Sequence, residues 1–191
     1  MIGRVLFSLS ALALVAAKPI AAEVPQKSML SIIAPAEVAN DPSNKLTLDL
    51  STGGRVVIML RPDAAPAHVD RIKSLVSQGF YNGLAFHRVV PGFMAQGGDP
   101  KGTGEGGSAL PDLKAEFNTL PFLRGTVGAA RADSPDSANS QFFIMFAPNA
   151  SLNDKYTVFG RVIEGMDAVD KMAPGEPPEQ PTKIVRASLG G

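Results

Sequence analysis

The sequence predicts a mainly β domain, a closed barrel of eight antiparallel strands capped by two α-helices. Three observations lead there. From Lys45 onward, short runs rich in β-branched and aromatic residues recur between glycine-rich turns, about eight in all. Only two stretches carry helical spacing of apolar residues. Antiparallel strands in that number can close into a barrel, which removes exposed sheet edges. With 191 residues, 45% of them hydrophobic and 19% charged, the chain suits one domain plus some extra sequence.

The elements follow in order. LTLDL (46–50) alternates apolar and polar residues, as a half-buried strand does. STGG (51–54) reads as a hairpin turn. RVVIML (55–60) is a continuous apolar run, a strand buried on both faces. A helix comes next, with Pro66 in its first turn, where a missing N–H does no harm. Val69, Ile72, Leu75 and Val76 form its apolar stripe, and Gly79 stops it. His68 lies beside that stripe and is expected at the surface or its boundary. LAFHRVV, GFMAQGG, TVGAARA, SQFFIMFA, YTVFGRVI and TKIVRASL supply the remaining strands. GMDAVDKM (165–172) reads as the second helix, and EPPEQP (176–181) as a proline-rich loop before the last strand. There is no internal repeat.

The chain before Lys45 divides in two. Arg4, the apolar run VLFSLSALALVAA (5–17) and the small residues of KPIAAE (18–23) form the three-part pattern of a secretory signal peptide. The run is shorter than the roughly 20 residues that cross a bilayer, so a retained anchor is the lesser alternative. Cleavage is expected after Ala22, with Ala17 as a second option. Residues 1–22 are thus a signal peptide, 23–44 an N-terminal extension and linker with a short strand at MLSII, and 45–191 the folded domain. Without residues 1–22 the chain has 16 basic and 18 acidic residues, a net charge of −2.

Several function classes are excluded. Basic and acidic residues balance at 18 each, so no footprint for nucleic acid exists. There is no cysteine, hence no disulfide, thiolate metal site, cysteine nucleophile or cysteine-linked lipid. The two histidines, His68 and His87, are far apart and lack a carboxylate cluster, so no metal site is expected. No G-x-S-x-G is present. KGTGEGG (101–107) lacks the Lys-Ser/Thr ending of a phosphate-binding loop, and its glycines fit tight turns.

The stretch FHRVVPGFMAQGGDP (86–100) carries the chemistry. It is too apolar for a surface loop and too rich in glycine for a helix. Read as two strands with a bend at Pro91-Gly92, it sends Phe86, Arg88 and Val90 to one face and His87 and Val89 to the other. After the bend, Phe93, Ala95 and Gly97 share one face and Met94 and Gln96 the opposite one. Arg88 then has two readings. It is a fixed donor in an apolar concavity, or a barrel-wall arginine paired to Asp99 or Glu116. Composition alone slightly favours the ion pair.

FHRVVPGFMAQGGDP, then GTG (102–104), SQFFI (140–144) and VFGRVIEGMD (158–167), resembles the cyclophilin family of peptidyl-prolyl isomerases. The match is ordered and runs from about Lys45 to Leu189. The resemblance implies the cyclophilin fold, a closed eight-stranded antiparallel β-barrel capped by two helices, with which the element count agrees, and rotation of X-Pro peptide bonds. It implies Arg88 as the catalytic arginine, with Phe93, Met94, Phe143 and Leu152 at the prolyl pocket. Phe143 taken alone reads more readily as barrel core. Gln96 is similar to the glutamine that braces the arginine and meets the substrate backbone, and Gln141 matches a second pocket glutamine. His87 matches the histidine beside the arginine and is given a role at the substrate's edge, since the reaction transfers no proton. Ala130, Arg131 and Ala132 correspond to the segment that pairs with the peptide backbone. Arg131 stands where many members have asparagine. The rim tryptophan of many eukaryotic members falls at Ser151, which implies weak cyclosporin binding, and the rim histidine falls at Tyr156.

The partners implied are proline-containing segments of unfolded or folding proteins. No ATP, metal or organic cofactor is implied. A monomer is expected, located in the periplasm, with secretion the lesser alternative. A non-catalytic module that holds proline segments in the same groove stays open as a second reading, although a pure binder has no need of the arginine.

Overall fold

Residues 29–190 are described by a computed structural model. The expected signal peptide, residues 23–28 of the extension, and Gly191 lie outside the described residues. The alternating run at 46–50 forms β1 (Lys45–Leu50), and the continuous run forms β2 (Arg55–Leu60). They pair antiparallel, Leu46 opposite Ile58 and Leu48 opposite Val56. Gly53, at φ +82°, makes the turn between them. Helix α2 (Pro66–Ser77) buries the stripe at Val69, Ile72, Leu75 and Val76. It ends before Gly79 at φ +69°.

The other strands are β3 (Arg88–Val90), β4 (Met94–Gly97), β5 (Thr126–Ala129), β6 (Phe142–Met145), β7 (Val158–Glu164) and β8 (Ile184–Leu189). Helix α3 (Met166–Asp170) lies between the last two. The eight strands form one antiparallel sheet in the order β3-β4-β6-β5-β7-β2-β1-β8. The sheet curls without closing fully, which corrects the expectation of a closed barrel. Its end strands β3 and β8 share no ladder. They approach through one isolated bridge, Ala85 with Lys183. Phe86 N–H bonds Thr182 O at 2.9 Å, and Ile184 N–H bonds Leu84 O at 2.8 Å. The seam is short because β3 has only three residues.

Two apolar clusters lie on opposite faces of the sheet. The larger fills the barrel and includes Leu48, Ile58, Leu60, Phe86, Val89, Ala95, Phe142, Ile144 and Phe159, with the stripe of α2. The smaller contains Met94, Leu120, Phe122, Phe143, Met145 and Val158. Along β4 and β6 the residues alternate between them, and in β7 Val158 and Phe159 divide the same way.

The extension departs from the expected linker. MLSII (29–33) forms no strand, and a short helix α1 (Ala36–Ala39) and a 3-10 turn (Pro42–Asn44) follow it. No neighbouring strand offers a ladder to this segment, and side chains hold it instead. Thr119 Oγ1 accepts from Leu30 N–H at 2.8 Å, and Leu30 packs against the smaller cluster. Arg61 is 3% exposed. Its guanidinium reaches both oxygens of Asp63 at 2.8 and 2.7 Å, and donates to Ser31 O at 3.0 Å and Ile32 O at 3.3 Å. The extension thus helps to satisfy a buried cation.

His68 is buried, which corrects its expected surface position. Glu116 accounts for this. Its carboxylate accepts from the backbone N–H groups of Ala67 and His68 at 3.1 and 3.0 Å, and meets His68 Nδ1 at 2.6 Å. A carboxylate there satisfies the free N–H groups of the first turn of α2 and draws His68 inward with them.

Replacing Arg61 with alanine leaves Asp63 and two backbone carbonyls without their donor. Urea denaturation of Arg61→Ala is expected to show a loss of about 3 kcal/mol; a loss within error would mean that the clamp contributes nothing. A second expectation concerns pH. Burial holds the His68 imidazole below its ordinary value, more than Glu116 raises it. The unfolded chain therefore takes up a proton first as pH falls below about 6.5. Stability is held above that value and is lost as pH drops through it. The urea midpoint should fall between about pH 7.5 and 5.5. The fall should be smaller in His68→Gln; a midpoint that rises over this range would show the Glu116 ion pair to dominate.

Candidate active site

The hairpin β3-β4 turns at Pro91-Gly92, with Gly92 at φ +72°. It places Arg88 opposite Gln96. Gln96 in turn lies opposite Phe143 on β6, and Phe143 opposite Gly128 on β5. Directly opposed residues in a sheet point to the same side. A row therefore runs across the face that carries the smaller cluster: Arg88, Gln96, Phe143, Gly128.

The aromatic end of this row is tightly built. Phe143 stacks on Phe122 with ring centroids 5.7 Å apart, and Tyr156 meets Phe143 edge-on at 5.8 Å. Phe93, Ala130, Leu152 and Tyr156 are partly buried against Met94, Phe122 and Phe143. Phe143 thus belongs to the groove-side cluster and not to the barrel core, against its reading as an isolated residue. Gly128 makes this stack possible. A Cβ there would lie 2.6 Å from Phe143 Cζ and 2.7 Å from Phe122 Cε1. The Arg131 guanidinium lies 4.6 Å from the Tyr156 ring centre and is tied to the carbonyls of Ala132, Asp133 and Lys155. A cation over that ring face helps to fix its orientation.

The polar side joins the same row. Gln96 Nε2 donates to Gln141 Oε1 at 2.8 Å. Gln141 Nε2 donates to Gly104 O and Gly106 O at 2.9 and 2.8 Å, which holds the glycine loop beside the strands. Ala130 N–H bonds Gln141 O at 3.0 Å and carries the β5-β6 pairing one residue further. Ala132 N–H bonds Ser137 Oγ at 2.9 Å. Together Gln96, Gln141, Ala130, Arg131, Ala132 and the loop from Gly104 to Gly107 line a groove of about 510 Å³.

Arg88 has neither of the expected ion-pair partners. Asp99 is buried and accepts backbone N–H groups from Lys101, Thr103 and Gly104 at 2.8, 2.9 and 2.6 Å. Burial raises its pKa, and those donors outweigh burial, so the carboxyl sits below its usual range. Glu116 is occupied at α2. Arg88 instead donates from Nε to Glu176 Oε2 at 2.6 Å, with side-chain exposures of 40% and 54%. Glu176 escaped sequence reasoning. It lies 88 positions further along the chain in a loop without periodicity, and only its charge marked it.

His87 does not reach the groove. It is 5% exposed, its two ring nitrogens have no partner, and burial holds its pKa below the ordinary value. Its ring packs under the glycine loop, with Nε2 3.7 Å from where a Cβ on Gly104 would lie. Phe86 departs from the expected alternation. It lies in the barrel core with Val89, so the chain changes phase between them. Phe93 leaves the face of Ala95 and packs with the groove-side cluster. Of the other expected residues, Gln96, Ala130, Arg131, Ala132 and Gln141 line the groove, Met94, Phe143, Leu152 and Tyr156 belong to the apolar cluster on the same face, and Arg88 ends the row through Gln96 and Phe143. Among the described residues no cluster of three His, Cys, Asp or Glu side chains is placed to hold a metal ion.

Comparison with known proteins agrees with this geometry. The family model for cyclophilin type peptidyl-prolyl cis-trans isomerase/CLD matches residues 47–189. A probable peptidyl-prolyl cis-trans isomerase of Brucella suis is 53% identical over 167 residues, covering 79% of this chain and 85% of that protein. Peptidyl-prolyl cis-trans isomerase B of Bacillus subtilis is 41% identical over 129 residues, covering 66% of this chain and 89% of that protein. Among solved structures, a cyclophilin from Hirschia baltica superposes with a TM-score of 0.72 at 30% identity, covering 78% of this chain and 74% of that one. A Cryptosporidium parvum cyclophilin type isomerase, crystallised in the presence of the dipeptide Ala-Pro, gives 0.70 at 26% identity, covering 76% and 98%. The match over most of the folded domain means that this chain belongs to the cyclophilin family of peptidyl-prolyl cis-trans isomerases.

Proposed function

We propose that this isomerase accelerates rotation about X-Pro bonds in proteins exported from the cytoplasm, with Arg88 as its catalytic residue. The barrier to that rotation is about 18–20 kcal/mol, because the C–N bond has partial double-bond character. Twisting the bond ends the conjugation and returns a lone pair to the prolyl nitrogen. A cationic donor aimed at that nitrogen stabilises the twisted state more than either planar state. No bond is made or broken, so the reaction requires neither metal nor cofactor.

The observation that carries this reading is the row Arg88, Gln96, Phe143 beside one groove. The prolyl ring seats against Phe93, Met94, Phe143 and Leu152. Gln96 and Gln141 meet the peptide backbone, and Ala130 to Ala132 line its path. Arg88 is suited to its task because a guanidinium stays charged and presents several fixed donors. Proline isomerisation without help takes tens of seconds, a delay for any chain that folds after export. The pattern at residues 4–23 supports a periplasmic site of action. The balanced charge supports polypeptide and not nucleic acid as the partner, with the enzyme acting as a monomer.

The test is turnover of a short X-Pro peptide by the purified chain and by Arg88→Ala. The variant should keep its circular dichroism and lose about 100-fold or more in kcat/KM. A folded wild type without acceleration would remove the catalytic reading. Expression of the full sequence in a Gram-negative host should yield a periplasmic product that begins at Glu23. Retention of Met1 in the cytoplasmic fraction would remove the export reading.

A further inference from the structure

A guanidinium on a flexible stem points nowhere in particular unless something holds it. In this groove Gln96, the glutamine expected to brace Arg88, donates from Nε2 to Gln141 at 2.8 Å, and among the described residues no hydrogen bond joins its Oε1 to the guanidinium. The bond that orients the arginine is the one from Nε to Glu176, at 2.6 Å. Nε lies where the planar group joins its stem. A hydrogen bond there sets the rotation of the plane and leaves both terminal nitrogens for other acceptors. Among the described residues those nitrogens make no hydrogen bond.

The carboxylate is itself held in place. Gly175, its chain neighbour, exchanges two backbone hydrogen bonds with Val89, the neighbour of Arg88, at 2.8 and 2.9 Å. Gly175 has φ +147°, and a Cβ there would lie 2.5 Å from Pro178 Cα. Only glycine fits where the loop folds back on its own Pro177 and Pro178. The loop is therefore docked on β3 one residue from the arginine, and Glu176 follows at a set distance. The pair is exposed to solvent, so its contribution to folding is small.

We propose that Glu176 is a positioning residue of this isomerase, whose carboxylate orients the Arg88 guanidinium through Nε so that its terminal nitrogens face the bound prolyl residue. This rests on Arg88 being the catalytic group. Glu176 touches no substrate and acts through the arginine alone.

The experiment compares Glu176→Ala and Glu176→Gln with the wild-type full chain. Glu176→Ala should lower kcat about tenfold at nearly constant KM, the effect of a correctly charged group held loosely. Glu176→Gln keeps an acceptor and should recover most of that loss. Glu179→Gln, a charge removed from the same loop away from Arg88, should leave turnover unchanged. In an Arg88→Ala background, Glu176→Ala should cost nothing further. A second readout needs no turnover. The Arg88 Nε–H signal in nuclear magnetic resonance should be protected from exchange in the wild type and in Glu176→Gln, and lose that protection in Glu176→Ala. This separates failure of the positioning role from failure of the catalytic assignment. Unchanged kcat in Glu176→Ala, an equal loss on the Arg88→Ala background, or an unprotected Nε–H in the wild type would each overturn the proposal.

Discussion

Neighbouring residues along β4, β6 and β7 point to opposite sides of one sheet, and both sides are apolar. Ala95 faces the barrel while Met94 faces the groove. Phe142 and Ile144 fill the barrel, and Phe143 and Met145 build the groove wall. The same holds for Phe159 and Val158. Each side chain fully buried contributes roughly 1.5–3 kcal/mol, so register is strongly specified on both faces at once. A slip by one residue would exchange the two clusters. The pocket therefore rests on the same pairing that holds the barrel together, and its geometry is as firm as the fold.

The groove combines this rigid wall with a polar edge of a different kind. The aromatic rings are fixed by stacking, by the bare backbone at Gly128 and by the cation over Tyr156. Gln96 and Gln141 are fixed by a chain of amide bonds that ends on the glycine loop. Arg88 alone stands half-exposed on the edge strand β3, held through one nitrogen. An enzyme that stabilises a twisted amide needs its apolar surface set in advance and its donor aimed at one atom. The division between packed wall and hydrogen-bonded edge meets both needs.

Much of this was legible before any coordinates. Pro66, Gly79 and the stripe from Val69 to Val76 carry their helix in local spacing. The β-branched run at 55–60 does the same for β2. What stayed hidden depends on partners distant in sequence. Glu116 caps a helix 48 residues earlier and so buries His68. Arg61 reaches back about 30 residues to the extension. Glu176 reaches across the seam to Arg88. Such pairs leave no periodicity behind, and a charged residue looks the same to a reader of sequence whether it is solvated or clamped. The site residues came from the family motif. The motif names residues without saying which way they face, and the change of phase between Phe86 and Val89 leaves no mark in it.

The hold on the extension has a consequence for how such chains change over generations. Arg61 grips Ser31 and Ile32 by their main-chain carbonyls, not by their side chains. Any residue other than one that distorts the backbone presents the same two oxygens. Leu30 is the only member of this stretch whose side chain packs on the groove-side cluster. The junction between upstream sequence and barrel is thus tolerant by construction. Segments of different composition can be joined there by recombination, and the domain continues to find the two acceptors its buried cation requires.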